Sequence, residues 1–187
     1  MGRWTKNHLG LDNVRFETSA GMVDVSVKDE QVASHLGFVK ASLREITAEV
    51  AGKQVRATLV NTGVPHAVVR VDELEGADTQ KELISAFRFH PAAGPRGANV
   101  TFLQVVGRAK VRTKTFERGV EGFTLSCGTG VIAAAAVCLK EQGGLRAEVW
   151  TPGGELVAEF GSDFTGVTLI GPAVEVFETT ISEEILK

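Results

Sequence analysis

Cys127-Gly128-Thr129-Gly130-Val131-Ile132-Ala133-Ala134-Ala135-Ala136-Val137-Cys138-Leu139-Lys140-Glu141-Gln142 is followed at once by Gly143-Gly144. The alanine-rich run predicts a helix from about Gly128 to Gln142, and the paired glycines supply its stop. The helix is apolar nearly all round, so it belongs inside the protein and not on its surface. The chain on both sides of it reads as strands. The expected fold is therefore α+β: a strongly curved, mostly antiparallel, barrel-like sheet wrapped around one central helix.

The flanking strands are read from their alternation. Val14 to Thr18 has period two, Ser19-Ala20-Gly21 turns the chain, and Met22 to Lys28 alternates again, which is a hairpin. Gln31 to Leu36 reads as a third short strand. Leu43 to Val50 and Gln54 to Asn61 flank a turn at Ala51-Gly52-Lys53, and Val68 to Val71 follows. Asn99 to Val106 and Lys110 to Phe116 pair around Gly107-Arg108. Beyond the helix come Leu145 to Thr151, Glu155 to Phe160, Val167 to Gly171 and Val174 to Phe177. Asp78 is expected to cap a further helix from about Thr79 to Phe89, with Leu83, Ile84 and Phe87 on one face. His90 to Gly97 is a Pro/Gly-rich loop.

The chain of 187 residues is 43% hydrophobic and 23% charged, with net charge −3. That is enough to bury a real core, in one large domain or two small ones. The charge offers no electrostatic case for nucleic acid. No apolar run reaches the roughly 18 residues of a membrane span, and Met1 to His8 lacks the apolar core of a signal peptide. A cytoplasmic location with no membrane partner is expected. Cys127 and Cys138, on one helix, lie roughly 16 Å apart along its axis, whereas a disulfide needs Cα atoms within about 7 Å. The histidines His8, His35, His66 and His90 are scattered and no CxxC occurs, so no metal site is expected.

At the helix mouth, the amides of Gly128, Thr129 and Gly130 are free donors at the positive end of the helix. A carboxylate fits there, and a thiol there is expected to ionise more readily. Glu117-Arg118 is near enough in sequence to join the same site, and the combination suits chemistry at the α-carbon of an amino acid. Simpler readings stand beside this one. Cys127 could be a buried structural thiol, and Arg118 a solvated charge, although the helix mouth and the Glu117 neighbour favour the functional readings. Cys138 reads as core packing, and Arg88 and His90 as surface or loop-anchoring residues. Asn99 opens a strand, where Asn is unfavourable, and so points to a specific polar role. A Cys/His hydrolase fits poorly, because no glycine stands two residues ahead of Cys127 to form a nucleophile elbow.

Four motifs then appear in order: Asn61-Thr62-Gly63-Val64-Pro65-His66, Gly97-Ala98-Asn99-Val100-Thr101-Phe102, Phe116-Glu117-Arg118-Gly119 and Thr124-Leu125-Ser126-Cys127-Gly128-Thr129-Gly130. Together with Gly171-Pro172-Ala173-Val174-Glu175-Val176-Phe177 they resemble the diaminopimelate epimerase family. The resemblance implies two similar halves, each a barrel-like sheet around a helix, with the site between them. It implies amino-acid epimerisation in the lysine and peptidoglycan-precursor pathway without any cofactor: one thiolate removes the α-proton and a second thiol returns a proton to the opposite face. Cys127 resembles one of those thiols. Gly128 and Thr129 would offer amides to the substrate carboxylate, Glu117 and Arg118 would meet its amino and carboxylate end, and Asn99 its distal part. His66, which follows Pro65 and precedes an apolar strand, reads from its own setting as a structural residue or one supporting these.

The sequence also departs from the family pattern. The second family cysteine, in an Asn-Gly-x-Arg-Cys setting, is not found here, and Trp4 to Leu11 resembles the end of the helix that would follow it. Phe123 stands where the family usually has Glu, and Val64 where many members have Asn. The expected organisation is a complete half over residues 52–177, with 1–51 and 178–187 forming part of the other. The expected activity is an epimerase-like protein that is catalytically incomplete alone. The alternatives are a non-catalytic amino-acid-binding or regulatory module, or a fragment without function. The expected partners are a diaminopimelate-like amino acid and further copies of the chain, a homo-oligomer completing the partial half.

Overall fold

The computed structural model describes residues 1–180, 182 and 184, so residues 181, 183 and 185–187 of the expected terminal segment lie outside the described residues. Helix α1 (Gly2–Leu9) opens the chain, followed by strands β1 (Asn13–Thr18), β2 (Gly21–Lys28), β3 (Gln31–Lys40), β4 (Ser42–Val50), β5 (Lys53–Asn61) and β6 (Pro65–Arg70). Helix α2 (Lys81–Arg88) leads to β7 (Asn99–Gly107), β8 (Lys110–Glu117) and the short β9 (Gly122–Phe123). Helix α3 (Gly128–Gln142) precedes β10 (Arg146–Thr151), β11 (Gly154–Phe160) and β12 (Thr165–Pro172).

All the strands form one sheet in the order β1-β2-β3-β12-β11-β10-β8-β7-β6-β5-β4, with β9 paired to β8 alone. The β6–β7 and β8–β10 pairs are parallel, each bridged by a helical crossover, and the remaining pairs are antiparallel. A parallel pair needs such a crossover because its second strand must restart at the same end of the sheet. Only Ala41 separates β3 from β4, although β4 ends the sheet's path and β3 lies near the other end. That one-residue link forces the sheet to roll round on itself. Ala41 donates its N–H to the carbonyl of Phe164 (3.3 Å) at the seam, but among the described residues no ladder joins β4 to β3 or β12, so the barrel-like sheet is not closed.

Helix α3 occupies the inside of the roll. It touches β5, β6, β7, β8, β10, β11 and β12, and Val131 to Ala136 are 0% exposed. Alanines let the strands approach closely from every side, which larger side chains would prevent. A second apolar cluster lies between α2 and the sheet, where Ile84 and Phe87 meet Ile46, Val100 and Phe102.

The elements differ from the sequence reading at several places, among them β6, which starts at Pro65 and not at Val68. Strand β3 runs on to Lys40 because β12 offers partners that far. Asp78 does not cap α2: it sits in a 3-10 turn (Ala77–Thr79), and its carboxylate pairs with Lys114 Nζ at 2.5 Å. Residues 174–177 form no strand. The ladder between β12 and β3 ends where Pro172 meets Gln31, and proline brings no N–H to extend it. The two-residue β9 is too short to show a period in the sequence.

Replacing Ile132, a wholly enclosed α3 side chain, by Ala is expected to cost about 2–5 kcal/mol. Val106→Ala at an exposed strand position is expected to stay within about 0.5 kcal/mol. Urea unfolding at constant m-value reads both.

Candidate active site

The end of β8 and the start of α3 are brought together by a tight return. After Glu117 the chain turns through Arg118–Glu121, with Gly119 at φ 90° and the Glu121 N–H on the Glu117 carbonyl at 2.8 Å. Strand β9 then pairs back on β8, Phe116 with Phe123 and Glu117 with Gly122. Cys127 is the residue before α3. Its backbone is extended (φ −124°, ψ 106°), and its carbonyl accepts the first helical bond, from Val131 N–H at 2.9 Å. The amides of Gly128, Thr129 and Gly130 precede the first full turn and have no helical acceptor. Gly130 has to be glycine: a Cβ there would lie 2.6 Å from Thr115 Oγ1 and 3.3 Å from Thr101 Oγ1. Its absence lets the first turn of α3 press against β7 and β8.

One chain of hydrogen bonds links the expected site residues, and its polarity follows from a backbone donor. Arg118 N–H donates to Asn99 Oδ1 at 2.7 Å, which fixes the Asn99 amide. Asn99 Nδ2 therefore faces His66 Nε2 at 3.2 Å, and that nitrogen accepts. The His66 proton is then on Nδ1, donated to Thr101 Oγ1 at 3.0 Å, and Thr101 continues to Thr115 (3.2 Å). Thr129 also donates its hydroxyl to His66 Nε2, at 2.9 Å. The same hydroxyl lies 3.5 Å from the Cys127 sulfur, and either group can donate in that contact. Burial and, secondarily, the positive charge of Arg118 lower the His66 pKa to about 3, so the ring stays neutral, as both acceptor contacts require.

The structure thus brings Cys127, Thr129, His66, Asn99 and Arg118 together. Glu117 is close enough to act on the thiol electrostatically, and its carboxylate accepts from Thr124 Oγ1. Arg118 Nη1 donates to the Gly97 carbonyl at 2.9 Å. Gly128 abuts Leu169 of β12. Cys138 is 0% exposed in the helix interior and takes no part.

One expectation is overturned. The Cys127 thiol is not easier to ionise; its pKa is raised. Burial is the largest cause, and the Glu117 carboxylate adds to it. Thr129 and the Gly130 N–H pull the other way and do not prevail. The helix mouth offers its donors, but the thiol has lost more in hydration than they return.

Thr101, Thr115 and Thr62 belong to the site and were not singled out from the sequence. Thr62 Oγ1 donates to the Thr129 carbonyl at 3.5 Å. On β8 the buried positions alternate as Val111, Thr113 and Thr115 against exposed Arg112. A hydroxyl in the inward phase must find a partner, and that was the available signal. Among the described residues no group of His, Cys, Asp or Glu side chains could hold a metal ion, and no helix is long and apolar enough to cross a membrane.

The sequence pattern described as diaminopimelate epimerase matches residues 58–176. The chain is similar to the diaminopimelate epimerase of Aquifex aeolicus, 39% identical over 94% of this chain and 64% of that protein. It is also similar to that of Methanothrix thermoacetophila, 37% identical over 98% of this chain and 67% of that protein. It thus spans about two thirds of the length of these curated relatives. Among solved structures it is similar in fold to a putative phenazine biosynthesis PhzC/PhzF protein from Clostridium difficile, with TM-score 0.62 and 11% identity over 95% of this chain and 69% of that one. A PhzF-family protein from Enterococcus faecalis is similar too, with TM-score 0.61 and 14% identity over 91% and 66% of the two chains.

Iodoacetamide is expected to label Cys127 with a rate that keeps rising at alkaline pH, while Cys138 stays unlabelled until the protein unfolds. Glu117→Gln removes a group that raises the thiol and should speed labelling near neutral pH by about threefold. A rate indifferent to residue 117 in mass-resolved labelling contradicts this. Because the folded His66 pKa lies below its ordinary value, the folded state binds fewer protons than the unfolded one. Its contribution to stability is complete above about pH 6.5 and is lost as pH falls towards about 3. In denaturant titrations across that window, His66→Gln should flatten the decline; an unchanged slope excludes His66 as its source.

Proposed function

Because the chain belongs to the diaminopimelate epimerase family, we propose that it acts at the α-carbon of a diaminopimelate-like amino acid, with Cys127 as the acid/base group on one face. The observation that carries this reading is the thiol at the mouth of α3, 3.5 Å from Thr129 Oγ1, with Glu117 delivered beside it by the β8–β9 return. The substrate α-carboxylate sits on the Gly128 and Thr129 amides, where the helix end favours an anion. The α-ammonium sits at Glu117 and Arg118 flanks the carboxylate. Asn99, with one Nδ2 hydrogen on His66, offers the other to the distal part of the substrate. His66 acts through Thr129, whose hydroxyl lies between the imidazole Nε2 and the thiol.

In the proton transfer, Cys127 as thiolate takes the α-proton, and the electron pair left on the α-carbon spreads into the carboxylate. Run in the other direction, the Cys127 thiol gives a proton to that carbon. Inversion needs a second acid or base on the opposite face. Cys138 is enclosed about three helical turns away and cannot reach. Residues 1–187 therefore supply one of the two groups, and on their own they exchange the α-proton without inverting the centre. A second reading, an amino-acid-binding module, is favoured by Phe123. It packs against Phe102 and Phe116, with ring centroids 6.0 and 5.5 Å away, and brings no acid to the site.

Incubation with diaminopimelate in deuterated water, followed by mass and chiral analysis, tests both. Deuterium is expected at the α-carbon with configuration retained, and Cys127→Ala is expected to lower the rate by about 10²- to 10⁴-fold. Saturable binding with no deuterium uptake supports the binding module, and full inversion by residues 1–187 overturns the one-sided reading.

A further inference from the structure

The ion pair between Arg88 and Glu121 lies outside the hydrogen-bonded chain that ends at Cys127, yet both segments carrying that chain are tied to it. Arg88 is the last residue of α2, and its side chain is 8% exposed. Its guanidinium makes a fork on Glu121, Nη2 to Oε1 at 2.5 Å and Nε to Oε2 at 3.1 Å. Its remaining nitrogen, Nη1, donates to the Arg96 carbonyl at 2.9 Å. The Arg88 carbonyl accepts from Ala98 N–H at 3.0 Å. Glu121 Oε1 in turn accepts from Gly119 N–H at 3.0 Å.

Arg88 therefore grips residues 96–98 directly, immediately before Asn99, and grips the turn after Glu117 through Glu121. Gly97 shows how tightly the first segment is wrapped. It has φ +67°, and a Cβ there would lie 2.0 Å from the Arg88 carbonyl oxygen and 2.6 Å from Nη1. The Gly97 carbonyl then receives Arg118 Nη1, while Asn99 Oδ1 receives Arg118 N–H. Bidentate charge-assisted bonds set geometry as well as energy. A lysine can supply the charge but not the fork and the third donor at once.

We propose that Arg88, paired with Glu121, is a positioning residue that holds the Asn99 segment and the Arg118 turn in register, and through them the substrate-binding residues linked to Cys127. The role in catalysis rests on the function proposed above; the mechanical role does not.

Two readouts keep these apart. In hydrogen exchange, Arg88→Met and Glu121→Gln are expected to speed exchange at the amides of Ala98, Arg118 and Gly119 about tenfold or more, with α3 unchanged, because each removes charge-assisted bonds. Arg88→Lys should fall between these variants and the native protein. Unchanged exchange at those amides in both variants overturns the proposal. So does exchange that rises equally throughout α3, which marks general destabilisation. In the deuterium-incorporation assay, the same variants should raise KM about tenfold with kcat within about threefold, the signature of lost substrate positioning. A fall in kcat at unchanged KM overturns the catalytic role. If the native protein incorporates no deuterium, the proposed function fails, and the amide exchange alone decides whether the clamp exists.

Discussion

A helix with no polar face has to be enclosed, and in this protein one sheet encloses it. Helix α3 carries alanine and valine on every side and meets seven strands. A flat sheet would leave half of it in water, at a cost of about 25 cal/mol for each Å² of apolar surface exposed. Rolling the sheet until β4 comes back beside β3 removes that surface. It also leaves the first turn of α3, whose amides have no helical acceptor, as a polar end of an otherwise apolar interior. Gly130 completes the fit, since any side chain there would strike Thr115. The place of the site is thus a consequence of the core.

The polar residues around that end behave as one unit because burial leaves them no freedom. Among the described residues no buried side-chain nitrogen or oxygen lacks a partner. An orphaned group in such surroundings costs roughly 1–3 kcal/mol, so each donor dictates its neighbour's orientation. The direction set by Arg118 N–H passes through Asn99 to His66, and Thr129 links the imidazole to the thiol. The neutral imidazole is a requirement of this arrangement, because a protonated ring would present a donor to Asn99, which has only donors to offer it.

Much of this was legible in the sequence, for local reasons. The bounds of α3 follow from Cys127 and Gly143, each with its own backbone signature. The hairpins follow from alternation and glycine turns. Cys127, Glu117, Arg118, Asn99 and His66 stand in short motifs, and the structure brings them together. What escaped depended on partners distant in sequence. Asp78 is a sound cap by type, yet Lys114 claims it. Residues 174–177 have strand composition but no ladder to join, and β9 exists only because β8 lies beside it. Thr101 and Thr115 look like ordinary strand threonines until His66 is placed between β7 and α3.

The error over Cys127 is the most instructive for mechanism. A helix mouth predicts a ready thiolate because the rule counts the dipole and the donors; it cannot count the water removed. Here burial prevails, and Glu117 reinforces it. Under the proposed function this has a use. Two groups on opposite faces of one carbon must be in opposite protonation states before either can act. A thiol held protonated by burial and a neighbouring carboxylate is ready to donate. In that proposal the same carboxylate receives the substrate's ammonium, and that positive charge would offset the repulsion that keeps the proton on sulfur. The substrate then moves the thiol towards the form that can abstract its α-proton, while a protein without substrate keeps a protonated and less nucleophilic sulfur.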